Sequence, residues 1–138
     1  MSDMTPRERV SYAIKMLVSH ALYYAGIRAS MEEHGVTDAA IIAYLAQPSV
    51  VYDPARGLTQ IALQKWIALY MNGPEAYAEW RRTGVPALTV VPASVNGNKI
   101  PVRVYYPSSE QSYNNENLQA AISRNGGDDL NDPVWWDK

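Results

Sequence analysis

Apolar positions in the first half of the chain recur at helical intervals. Val10, Ile14, Leu17, Val18, Ala21 and Ala25 fall three or four residues apart, with Arg28 continuing the row and Met31 extending it. Thr5-Pro6-Arg7-Glu8 precedes them, with a threonine able to cap, a proline suited to the first helical position and a glutamate able to reach back. Gly35 follows as a stop. The pattern predicts a first, amphipathic helix from Pro6 to His34 with that row along one face. Thr37-Asp38 predicts a second, shorter helix through Ala46, ended by Pro48. Asp53-Pro54 opens a third, although Gly57 weakens its first turn by about 1 kcal/mol relative to alanine. Leu63, Trp66, Ile67, Tyr70 and Met71 lie on one side of it. Gly73 closes that helix, and Pro74 opens a fourth over Glu75 to Arg82, stopped by Gly84 and Pro86. Gln64 to Gly84 thus predicts two helices joined by a tight break, with rings turned inward and paired arginines at the end.

The rhythm changes at Val85. Pro86, Pro92, Pro101 and Pro107 interrupt the chain through Pro107, and Asn96-Gly97-Asn98 signals a turn. Val102, Val104 and Tyr106 alternate, which permits one short strand or hairpin arm. Ser108 to Asn115 reads as polar loop. Glu116 to Arg124 predicts a last helix, with Asn114 or Asn115 as cap and Gly126-Gly127 as stop. The tail from Asp128 to Lys138 is irregular, and its Trp135-Trp136 pair is expected to dock. The divisions are therefore 1–84 helical, 85–115 irregular, 116–125 helix and 126–138 docked tail. Two helix pairs suggest a repeat, but about three units are needed to establish a solenoid.

A chain of 138 residues is one domain or a piece of a larger one. With 47% hydrophobic and 19% charged residues it is a folding sequence. Phe is absent, against 10 Tyr and 4 Trp. Rings with a polar handle suit surfaces that meet sugars or proteins, and ordinary cores as well. A net charge of −2 gives no basic stripe for nucleic acid. The absence of cysteine excludes disulfides, thiolate metal sites and cysteine nucleophiles. No run of about 18 apolar residues offers a membrane span. Met16 to Ile27, preceded by Arg7, Arg9 and Lys15, loosely imitates a secretion signal. His20 and Tyr23-Tyr24 inside it, and the lack of a cleavage site, favour an amphipathic helix.

Candidate chemistry is sparse. His20 and His34 lie fourteen residues apart on one helix, with no acid pattern of a zinc helix beside them. Asp128, Asp129 and Asp132 do not have the spacing of a twelve-residue calcium loop, and aspartates after glycine make good turns. Glu75 and Glu79 share a helix face and with Glu110 could be proposed as catalytic carboxylates. Yet Glu79 with Arg82, and Tyr77 with Arg81, fall at ion-pairing and ring-stacking spacings. Trp80, Trp135 and Trp136 could serve as sugar platforms, but packing is the simpler use for each, most of all for Trp80. There is no phosphate loop and no nucleophile elbow.

Gln64 to Gly84, Ile100 to Glu110, Asn117 to Asp129 and Trp135-Trp136-Asp137-Lys138, in that order, resemble the C-terminal end of SusD/RagB-like proteins. The likeness is greatest to the branch described as starch-binding and outer-membrane-associated. Tyr24 to Met31 and Tyr44-Leu45-Ala46-Gln47 resemble the preceding segment, so the resemblance runs from about Leu22 to the end. It implies a mainly α fold of tetratricopeptide-like helix pairs, with a largely irregular C-terminal part and little β. It also implies a surface-exposed outer-membrane lipoprotein that binds glycans or other nutrients, partners a TonB-dependent transporter, uses no cofactor and is not an enzyme. Family members are several times longer and begin with a signal peptide and a lipid-bearing cysteine, so this chain resembles a C-terminal portion or a truncated frame. Met1 to Val18 matches poorly. No sugar-binding residue can be carried over, so the ligand-binding residues are unknown from the sequence, and Trp80-Arg81-Arg82-Thr83-Gly84 is expected to brace the helix pair. A helical interaction module without glycan binding is the alternative, and a sugar hydrolase is the weakest reading. A chain of this kind is expected to expose apolar helix faces and to self-associate.

Overall fold

The computed structural model describes residues 5–134, which form six helices and, among the described residues, no strand. The chain divides into two compact units, Met1–Pro86 and Ala87–Lys138. The first holds α1 (Pro6–Glu33), α2 (Asp38–Leu45), α3 (Gly57–Ala68) and α4 (Gly73–Thr83). The second holds α5 (Ser108–Tyr113) and α6 (Asn115–Asn125).

α1 begins as its sequence dictates. The Thr5 hydroxyl accepts from the Glu8 amide at 3.4 Å, and the Glu8 carboxylate accepts from the Thr5 amide at 2.7 Å. Those bonds satisfy amides that the first turn leaves without helical partners. They also hold the Glu8 carboxyl below its usual range. The helix closes at His34, where the Gly35 amide donates to Glu32 and the Val36 amide to Met31. Arg28 then reaches the Asp38 carboxylate, fastening the last turns of α1 to the first turn of α2.

The core of the first unit sits where the C-terminal half of α1 meets α2 and the connector after it. Tyr23, Ile27 and Val50 are buried together, with Met31, Tyr44, Leu45 and Tyr52 packed around them. Ile41 on α2 is only 1% exposed. Polar bonds fix the connector. The Tyr23 hydroxyl donates to the Val50 carbonyl at 2.8 Å, and the Tyr52 amide donates to the Tyr24 hydroxyl at 2.9 Å. The buried Gln60 side chain accepts from the Asp53 amide at 2.7 Å and donates to the Val51 carbonyl at 2.9 Å. Gly57 opens α3 under the Tyr52 ring, where a Cβ would come within 2.6 Å of the hydroxyl. That close approach explains a glycine at an otherwise unfavourable place.

Several expectations change. The row Val10, Leu17, Val18, Ala21 and Ala25 faces outward, and Tyr23 and Ile27 are the buried residues of α1. The side chain of Ile14 is not among those described. Both rows are apolar and helical in spacing, so periodicity alone does not say which one α2 and α3 cover. Asp53 caps no helix. It accepts from the Ala55 amide and the Arg56 guanidinium in a separate turn, and α3 starts at Gly57. α3 also ends before Gly73, with a turn over Leu69 to Met71 and a left-handed Met71. Tyr70 and Met71 are consequently 73% and 86% exposed and do not join an inner face. Ser108 to Tyr113 forms α5, although its serines, glutamine and glutamate had read as loop. Extended Pro107 sets it up, its carbonyl accepting from the Glu110 amide at 3.0 Å. Val102 to Tyr106 is not a strand: the Val102 and Arg103 amides both donate to the Leu130 carbonyl, so there is no ladder. Trp135 and Trp136 lie outside the described residues.

Candidate functional site

Among the described residues, the α3–α4 hairpin contains the most developed charge cluster. α4 presents Glu79, whose carboxylate is 4% exposed. Lys65 of α3 donates to it at 2.9 Å, and Arg82, one turn along α4, donates to its other oxygen. Lys65 also approaches Glu75 at 3.8 Å. The Arg82 hydrogen bond first, and the Lys65 hydrogen bond next, hold the Glu79 carboxyl below its usual range. A carboxylate gripped by two cations stays ionised and cannot serve as a general acid. Thr83 donates to the Glu79 carbonyl at 2.8 Å, and Gly84, at φ 67°, closes the helix where a side chain would be strained. The Trp80 indole N–H donates to the Pro86 carbonyl at 3.1 Å, its ring stacks on Tyr77 at 6.2 Å, and Arg81 covers the Tyr77 ring at 4.7 Å. Arg82 and Arg81 thus hold partners within α4 itself, and Lys65 makes the bond across the hairpin; Tyr77 and Trp80 are half-buried.

Beside this cluster, α1 and α3 enclose an open groove of about 640 Å³. Leu22, Ile27 and Met31 line one wall, and Ile61, Ile67 and Ala68 the other. Its polar lining is Ser19, Ser30, Tyr44, Gln64 and Lys65, of which Tyr44 donates to the Gln64 side chain at 3.1 Å and Lys65 is held by Glu79. A mostly apolar lining suits apolar groups better than a sugar, whose hydroxyls need partners.

The second unit is held by single polar residues. Arg103 is 9% exposed and donates to Asp128 at 2.9 Å and to the Gly127 carbonyl at 3.3 Å, with its guanidinium 5.1 Å from the Tyr106 ring. Asn96 and Asn131 exchange amide hydrogen bonds at 2.8 and 3.1 Å. Asp129 accepts from the Asn131 amide, and Asp132 from the Asp129 amide. The three aspartates thus serve an ion pair and two turns, and do not converge.

The remaining candidates are scattered. His20 meets Tyr24 and Tyr52 edge to face at 4.9 and 5.7 Å, while the His34 ring contacts the Ser30 carbonyl at 2.9 Å. Glu110 accepts from Asn114 within α5. Among the described residues no three His, Cys, Asp or Glu side chains gather as metal ligands. None of the helices they form is long and apolar enough to cross a membrane. No local pattern marks Gln60 or Arg103, two buried polar residues that fix connectors. Their roles depend on backbone groups distant in the chain.

The family model described as "Starch-binding associating with outer membrane" matches residues 12–107. The chain belongs to the SusD-like family. Solved structures agree. A SusD-like protein of Bacteroidetes AC2a is 34% identical over 86% of this chain and 25% of its own, with a TM-score of 0.79. A chitin-binding protein is 36% identical over 86% of this chain and 28% of its own, with a TM-score of 0.75. A SusD homologue from Bacteroides uniformis is 32% identical over 86% and 31%, with a TM-score of 0.74. No curated protein matches the sequence. The chain spans about a quarter to a third of the length of these solved relatives. The helix pairs α1–α2 and α3–α4 are the SusD-like element that the sequence resemblance implied.

Proposed function

We propose that this chain carries part of a glycan-binding component of an outer-membrane nutrient-uptake system, with a TonB-dependent transporter as its partner and no catalytic activity of its own. The observation that carries the reading is its 36% identity, at a TM-score of 0.75, to a protein that binds chitin. The family description supports association with the outer membrane. The gripped Glu79 and the dispersed histidines supply no acid–base pair, which favours binding over hydrolysis. The test is calorimetric titration of the chain with chito-oligosaccharides and malto-oligosaccharides, with products followed by chromatography. Saturable heat with one glycan and no cleavage is the expected result. Silence with both series, or turnover of either, contradicts it. Capture of a transporter barrel from outer-membrane extract tests the partner separately.

The apolar groove between α1 and α3 favours a second reading, an interaction module without glycan binding. Calorimetric silence combined with a tight protein complex would select it.

A further inference from the structure

Asparagine precedes glycine at three places: Asn72-Gly73, Asn96-Gly97 and Asn125-Gly126. The pair is chemically labile, because glycine has no Cβ to shield its nitrogen from the neighbouring side-chain amide. Reaction requires the peptide after the asparagine to turn, and at two of the three places a helix prevents it. Asn72 caps α4, its carbonyl accepting from the Ala76 amide at 2.9 Å. Asn125 ends α6, where the Gly126 amide donates to the Ile122 carbonyl at 3.0 Å. Asn96-Gly97 lies in a turn outside any helix. Gly97 is exposed at φ 60°, and a Cβ there would meet nothing within 4 Å. Among the described residues its nitrogen donates to no backbone carbonyl. What restrains the step is the Asn96 side chain itself. Its Nδ2 donates to the Lys99 carbonyl at 3.2 Å and to Asn131 Oδ1 at 2.8 Å, and its Oδ1 accepts from Asn131 Nδ2 at 3.1 Å.

We propose that Asn96-Gly97 is a self-modification site, and that the amide pair with Asn131 is the lock that holds it in check. Once the side chain is released, the Gly97 nitrogen attacks Asn96 Cγ. The N–Cγ bond forms and the Cγ–Nδ2 bond breaks. The amide leaves as ammonia, taking up through water the proton that the Gly97 nitrogen loses. Water then opens the cyclic imide at either of its carbonyl–nitrogen bonds, giving an aspartate or an isoaspartyl linkage at position 96. The sum is asparagine and water to acid and ammonia, with nothing oxidised or reduced. The product cannot relock. A carboxylate has no N–H, so the bonds to the Lys99 carbonyl and to Asn131 Oδ1 are lost. Asn131 Nδ2 already donates to the Asp129 carboxylate at 2.8 Å, so two like charges would share one amide. The tie between residues 96–99 and 129–131 therefore opens for good.

The test is incubation of the full chain in mildly alkaline buffer, followed by cleavage after lysine and arginine and mass spectrometry. Asn72, Asn96 and Asn125 fall in separate peptides, and fragmentation locates the amide turned to acid. In the folded chain Asn96 should convert slowly, and in urea at the rate of an unrestrained turn. Asn131→Ala removes two of the three side-chain bonds and should speed conversion at Asn96 about 10-fold in the folded chain. Asn72 and Asn125 should keep their wild-type rates in that variant. The urea comparison needs no variant, so it stands even if Asn131→Ala folds poorly. Conversion of folded wild-type Asn96 as fast as in urea overturns the proposal, as does an Asn131→Ala rate equal to wild type. A parallel rise at Asn125 would make Asn131 a general support of its unit and not a lock, which also overturns it. So does an Asn96 that stays intact in urea.

Discussion

The two units are held together by different physics. In the first, helices satisfy their own backbone groups, bury Tyr23, Ile27 and Val50 against one another and bury Ile41 on α2. In the second, Leu118 is the one buried apolar residue among those described, and Arg103, Asn96, Asn131 and the aspartates of residues 128–132 hold loops in place. A core built by pattern tolerates conservative exchange, because many residues share the load. A frame built from single polar residues does not, because each removed donor leaves particular carbonyls and carboxylates without a partner.

The largest effect should come from the first unit. Ile41→Ala removes a side chain that is 1% exposed and is expected to cost about 3 kcal/mol, read as a lower denaturation midpoint. Arg103→Ala should follow at about 2–3 kcal/mol, because it frees Asp128 and the Gly127 carbonyl together. Hydrogen exchange should place that loss within residues 87–134. An Arg103→Ala chain with unchanged exchange there would erase the contrast between the units. Tyr23→Phe should cost about 1–2 kcal/mol by leaving the buried Val50 carbonyl unmatched.

The smallest effect depends on pH. Glu79 has a lowered pKa, so its contribution is complete above the ordinary carboxylate value of 4.5 and fades as pH falls through the lower folded value. Wild-type stability should therefore fall more than that of Glu79→Gln as pH drops below about 4.5, read as a larger loss of denaturation midpoint. Identical pH profiles would show that the Lys65–Glu79–Arg82 cluster contributes nothing. Exposed Glu8 and Asp53, also lowered, add the same sign to both profiles.

These contrasts also explain what could be read in advance. The capping box at Thr5 and Glu8, the stops at Gly84 and Gly126, and the Glu79–Arg82 pair are local in sequence, and each stands where the pattern put it. Which row of α1 is buried is not legible in its spacing, because it depends on which of two apolar rows α2 and α3 cover. α5 was missed because its start rests on the extended Pro107 and not on an apolar repeat. Arg103 and Gln60 left no signal, since their partners are backbone carbonyls and carboxylates with no periodic signature. For the candidate site, the Glu79–Arg82 and Tyr77–Arg81 contacts within α4 followed from helical spacing. The groove between α1 and α3 did not, because it arises from packing between two elements separated by α2 and a connector in sequence.

Native-state hydrogen exchange in rising denaturant tests the contrast between the units most directly. Amides from Ser19 through α3 should merge into one opening whose free energy falls steeply with denaturant, because it exposes the shared core. Amides of residues 87–134 should exchange through small openings that barely respond to denaturant. If instead the amides of Val102, Arg103 and α6 joined the same steep isotherm as Ile27 and Ile41, the separation into a patterned core and a frame of single polar residues would be wrong.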